Sequence, residues 1–132
     1  MNKWHYKEIR YIIREVRDYG YAIRWILNKN YYEIYQVEFT RIDEFNVEIK
    51  ITNFLLNEFV AKEILTMHMT EKIVEFVDID GVYYNKKIDC VRDLYELLNK
   101  RLNRYKRKTS EKYKELLEMV EYLEENFPEL LI

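Results

Sequence analysis

Phe45-Asn46-Val47-Glu48-Ile49-Lys50-Ile51-Thr52 alternates large apolar and polar side chains without a break. Successive side chains of a strand point to opposite faces, so this pattern predicts a strand with one buried and one wet face. A sheet with one wet face is characteristically antiparallel, and its other face needs a cover. Upstream, Tyr21 to Leu27 and Tyr31 to Ile42 are rich in β-branched and aromatic residues, and Asn28-Lys29-Asn30 between them are turn formers. They read as a hairpin, joined through a second turn at Asp43-Glu44 to the 45–52 strand. The rival reading, a helix running through Gly20 to Leu27, costs about 1 kcal/mol for the glycine alone.

Downstream, Asn53 can cap a helix carrying Leu55, Leu56, Phe59, Val60 and Ile64, although the stretch from Phe59 also alternates as a strand. A helix to about Leu65 is the expectation here. Ile73 to Ile79 and Val82 to Asn85 flank Asp80-Gly81, a dipeptide that favours a two-residue hairpin turn, so these two segments are expected to pair.

Helices flank this region. Residues 3–18 place Ile9, Ile12, Ile13 and Val16 on one face, which Trp4 or His5 can begin, and Gly20 stands where a left-handed cap would end the helix. Residues 88–127 form a helical arm with no Gly or Pro before Pro128. Its apolar stripe runs through Val91, Leu94, Leu98 and Leu102 and continues through Leu116, Val120, Leu123 and Phe127. Thr109-Ser110-Glu111 is the one helix-start signal inside the arm and favours two helices, although the stripe keeps phase through it. The expected fold is α+β in a single domain, 1–132: an antiparallel sheet of 4–5 strands over 21–86, an N-terminal helix, and the helical arm or hairpin, with helices over one face.

Composition narrows the function classes. The chain is 48% apolar and 16% aromatic, with thirteen Tyr against two Gly and two Ala, so it can build a core. Its net charge of −2 argues against a surface that is basic all over, and its single Cys argues against a disulfide framework and for a reducing, intracellular setting. No apolar run is long enough to span a membrane. Rich in Tyr, Ile, Lys and Glu and poor in Gly, the whole chain resembles small uncharacterised proteins of crenarchaeal viruses and their hosts. That resemblance carries no motif and transfers no site residue.

Charge is divided along the arm. From Asn99 to Lys114 stand eight Lys or Arg and one acid; from Glu115 to Glu129 stand six Glu and no base. Lys3, Lys7, Arg10, Arg14 and Arg17 form a second basic line on the first helix, where Arg14 can also pair with Asp18. Two functions follow as expectations. The first is a non-enzymatic interaction protein that self-associates as a homodimer or docks a protein partner through the arm, with Leu116, Val120, Leu123 and Phe127 at the interface. The alternative is nucleic-acid binding through Lys7, Arg10, Arg14, Arg17, Arg101, Arg104, Arg107 and Lys108, with Tyr6, Tyr11, Tyr105 and Tyr113 near enough to stack on bases. Weaker signals are Glu48-x-Lys50 with Asp43 or Glu38, which has the spacing of a metal nuclease; Asp78-x-Asp80, which suits a tight turn better than Mg²⁺; and Cys90, at a helix start where the dipole lowers a thiol pKa. No metal, cofactor or small-molecule substrate is expected.

Overall fold

A computed structural model describes the backbone of residues 3–132 and the side chains from Lys7 onward. The side chains of Lys3, Trp4, His5 and Tyr6 therefore lie outside the described residues. The chain divides into two compact units that part between Lys87 and Ile88.

The first unit contains α1 (Lys3–Tyr19), β1 (Tyr21–Asn28), β2 (Glu33–Arg41), β3 (Asn46–Asn53), β4 (Glu58–Thr66), α2 (Thr70–Phe76) and β5 (Val82–Tyr84). The strands form one antiparallel sheet in the order β4-β3-β2-β1-β5. Every second residue of β2 and β3 points into a common core: Val37 and Phe39, then Val47, Ile49 and Ile51. Ile9, Ile12, Ile13 and Val16 of α1 cover that face together with Ile73, Val74 and Val77 at α2. Burying one such side chain contributes roughly 1.5–3 kcal/mol, several times the worth of an exposed ion pair. Apolar contact therefore holds α1 down, and its charged flanks are left at the surface.

Gly20 follows α1 with φ +81° and donates its N–H to the carbonyl of Val16 at 2.9 Å, the left-handed cap expected there. The hairpin of β1 and β2 and the strand β3 also lie where the patterns place them.

Two segments differ. The 53–69 stretch forms a strand, not a helix. The Asn53 side chain accepts from the Leu56 N–H at 3.3 Å, and Asn57 takes φ +53°, which closes a tight turn rather than opening a helix. Glu58 to Thr66 then pair along β3, giving its outer backbone groups partners that a helix would have left unmade. The second difference is that Ile73 and Val82 do not face each other across a hairpin. Thr70–Phe76 is helical because Ile73, Val74 and Val77 all point inward, a spacing only a helix allows; a strand would have put Glu75 in the core beside Ile73. β5 pairs with β1 instead, with Tyr83 opposite Ile26. Gly81 is needed there for room rather than for a turn, since a Cβ would sit 2.5 Å from the Leu27 carbonyl oxygen.

The second unit is a helical hairpin: α3 (Lys87–Asn103), α4 (Glu111–Asn126) and a short 3-10 turn (Pro128–Leu131). The arm is two helices. Arg104 and Tyr105 donate back to Arg101 and Leu102 at 3.2 and 3.1 Å, tightening the end of α3. Ser110 restarts the chain, its hydroxyl accepting from the Tyr113 N–H at 3.2 Å. Like charges at helical neighbour spacing, such as Arg104 with Lys100 and Lys108, also oppose a continuous helix.

Gly81→Ala is expected to cost about 1–3 kcal/mol through overpacking against backbone. Gly20→Ala, with nothing within 4 Å of its added Cβ, is expected to cost about 1–2 kcal/mol for the left-handed backbone alone. Urea unfolding followed by the fluorescence of Trp25, the β1 neighbour of Tyr84, reads both values.

Candidate functional site

The cations of the C-terminal unit gather at one end of the hairpin. Two contacts show the helices to be antiparallel: the Tyr95 hydroxyl donates to Glu124 Oε1 at 2.8 Å, and the rings of Tyr105 and Tyr113 meet edge-on with centroids 6.0 Å apart. In that register Leu94, Leu98 and Leu102 stand level with Leu123, Val120 and Leu116, and all six are buried. The connection from Arg104 to Ser110 forms the tip. Lys100, Arg101, Arg104, Lys106, Arg107 and Lys108 are all exposed there, six cations in nine residues. Among the described residues none of the six makes an ion pair, in contrast to Arg24–Glu15, Arg92–Asp89 and Lys112–Glu115. Arg101 lies over the Tyr105 ring at 5.5 Å, which holds its guanidinium at the tip. The negative end of the α3 dipole favours cations in its last turn, Lys100 and Arg101, while the positive end of α4 opposes it at the tip, so the basic character of the tip comes from its side chains.

The acidic half of the arm is the far part of α4. Glu118, Glu121 and Glu125 are exposed, and Glu124 receives the Tyr95 hydroxyl, whose pKa that bond raises. Of the apolar residues assigned to an interface, Leu116, Val120 and Leu123 are buried within the protomer, and half-buried Phe127 caps α4 through its N–H to the Leu123 carbonyl at 2.8 Å. The stripe is therefore a core stripe. The signal that distinguishes these readings, an apolar face matched to its own neighbour, depends on whether the arm folds back.

In the N-terminal unit Lys7, Arg10, Arg14 and Arg17 are exposed along one flank of α1. Helical spacing puts Glu8 and Glu15 on the opposite flank, with Tyr11 and Asp18 between the two. No ion pair joins Arg14 to Asp18. Arg41, at the far end of β2, donates Nη1 to the Arg17 carbonyl at 2.8 Å and adds a cation to the four described on the line. Sequence spacing gave no sign of this, because only the hairpin return brings β2 to the end of α1. A second residue outside the pattern is Arg24. It points to the α1 face of the sheet, 9% exposed, and pairs with Glu15 while donating to the Ile23 carbonyl at 2.7 Å. The acidic flank of α1 thus neutralises a cation in the sheet, while Lys7, Arg10, Arg14 and Arg17 stay exposed on the basic flank.

The remaining candidates resolve into structure. Asp43 accepts the backbone N–H groups of Phe45 and Asn46, each at 2.9 Å, and the Asn46 amide, which holds its carboxyl below the usual range. Glu38 receives the Gln36 amide at 2.6 Å. Glu48 and Lys50 share the sheet face opposite α1, as the alternation requires. Among the described residues no group of three or more His, Cys, Asp and Glu could hold a metal ion, and no helix is long and apolar enough to cross a membrane. The Tyr11 ring is exposed, whereas Tyr105 and Tyr113 are partly buried against each other.

Cys90 is buried, and burial, aided by the nearby Asp93 charge, pushes its thiol up to about 12, against the direction that a helix start alone would give. An acid whose folded pKa is raised adds stability that is complete below its unfolded value and lost as pH climbs toward the folded one. Cys90 and Tyr83, raised by its own burial, are therefore expected to make the fold weaken above about pH 9. Native protein at pH 8 is expected to resist thiol alkylation and to react fully once unfolded in urea; the labelled fraction measured by mass checks this.

Comparison of the chain with protein-family models, with curated proteins and with solved structures finds no match.

Proposed function

We propose that the protein is a non-enzymatic binding protein that grips a nucleic acid through the tip of its C-terminal hairpin. The observation that carries this is the group of six exposed cations between Lys100 and Lys108, with no acidic partner among the described residues. Unpaired cations on a surface attract polyanions, and arginine's fork fits phosphate oxygens in pairs. The tip contains three arginines, and Arg101 is pre-positioned by the Tyr105 ring. The basic flank of α1, extended by Arg41, offers a second phosphate-binding line on the N-terminal unit. Phosphate contacts of this kind position a strand without reading its sequence, so the expected preference is for backbone charge rather than for a base order.

A second reading rests on the charge division of α4, where Lys112 and Lys114 precede a run of glutamates. Two hairpins related by a two-fold axis would set basic tip against acidic end twice. With Leu116, Val120 and Leu123 buried, that contact would rest mainly on exposed charge pairs, each worth about 1 kcal/mol or less, and would be weak. Sedimentation at low and high micromolar concentration tests it, and a monomer at both removes it.

Nucleic-acid binding is expected to weaken steeply with salt. The triple change Arg104→Gln, Arg107→Gln and Lys108→Gln should flatten the slope of log K against log salt by about 2–3, at roughly 0.7–0.9 for each lost phosphate contact. Fluorescence anisotropy with single- and double-stranded DNA and RNA from 50 to 300 mM salt measures this. Binding that is absent, or that ignores salt, rules the reading out.

A further inference from the structure

We propose that the open edge of β4 accepts an extended acidic segment of a partner protein as an added strand, with an acidic side chain seated beside Lys62. This site is independent of the hairpin tip. β4 ends the sheet order; eight of its nine residues pair with β3, Val60 being bulged out of register, and among the described residues no strand pairs with its outer edge. Such edges are usually blunted by shortness, charge or a bulge, and β4 carries Glu58, Lys62, Glu63 and the bulge at Val60. Here Phe59 and Ile64 remain 65% and 59% exposed on the face opposite α1, on either side of Lys62.

The charge on that face selects the occupant. Across the sheet, Glu38 stands opposite Lys50 and Lys50 opposite Lys62, so the row ends at the edge on a cation. The two lysines are exposed, make no ion pair among the described residues, and repel each other as direct cross-strand neighbours. Glu38 is engaged with the Gln36 amide. An acid on the next strand would stand opposite Lys62 and relieve this repulsion. The same charges disfavour a second copy of the chain. A two-fold pairing centred on Lys62 or Glu63 sets that charge against itself, and one centred on Ala61 or Ile64 places Val60 or Thr66 opposite Lys62, so a second copy brings it no acid in these registers. The edge thus suits a strand reading apolar–x–acidic–x–apolar, with its acid opposite Lys62 and its apolar side chains over Ile64 on one side and the bulged Phe59-Val60 pair on the other.

The test uses the full chain and two labelled nine-residue peptides, Val-Thr-Val-Thr-Glu-Thr-Val-Thr-Val and its counterpart with Lys at the centre, titrated by fluorescence anisotropy. The glutamate peptide is expected to bind about tenfold more tightly than the lysine peptide, and Lys62→Glu to reverse that order, the size expected from exchanging a cross-strand attraction for a repulsion. Unchanged circular dichroism and melting temperature show that this exposed substitution keeps the fold. Equal binding of both peptides, binding of neither, or an order that Lys62→Glu leaves alone overturns the proposal. A dimer that Ile64→Lys dissociates, while the hairpin substitutions do not, assigns the edge to a second copy and also overturns it.

Discussion

The contact of α1 with one face of the sheet is the constraint from which the rest of the N-terminal unit follows. Ile9, Ile12, Ile13 and Val16 are removed from water only if Val37, Phe39, Val47 and Ile49 all point to the same side. A slip of one residue in any strand would send its apolar set to solvent, so this face fixes the register of the sheet. It also orients α1 about its own axis. Once the isoleucines point down, Glu15 must lie on one flank, above Arg24, and the basic residues on the other. The exposed cationic line is a by-product of core burial, and the buried Arg24 makes the two flanks unequal.

The hairpin obeys a parallel logic with different means. Its leucines are buried in antiparallel register, and the turn that permits this, with the last turn of α3, holds six cations and no acid in nine residues. A turn is where such a stretch fits best. Its side chains can spread into solvent, its charges no longer stack at helical spacing, and the end of α3 favours positive charge. Concentrating cations at a tip also separates them from Glu118, Glu121, Glu124 and Glu125, which stand toward the far end of α4.

Much of this was legible in the sequence. Alternation marked β3, apolar spacing marked α1, and Gly20, Asn28-Lys29-Asn30 and Ser110 marked the boundaries, because each of these signals is local and needs no partner to be read. The 53–69 and 73–79 segments were not legible for the converse reason. Phe59, Val60 and Ile64 suit a helical face as well as a strand, and what decides between them is that β3 had an unpaired edge nearby. Ile73, Val74 and Val77 read as a strand until the core requires all three on one side. Asp80-Gly81 was read as a hairpin turn, whereas Gly81 gives room beside Leu27, which lies in a strand more than fifty residues away and left no mark on the local sequence.

For the candidate sites, composition and spacing by themselves determined which residues carry charge and where the charge changes sign. Tertiary structure decided which of those charges are available: Arg24 is paired inside the fold, Arg41 joins the α1 line from another strand, and the tip cations make no ion pair among the described residues. It also decided that the apolar stripe of the arm is core rather than contact surface. The physical reason is the same throughout. Periodicity along a chain reports that a face will be buried, but only the folded chain supplies the surface that buries it, and so decides which charges and edges remain exposed.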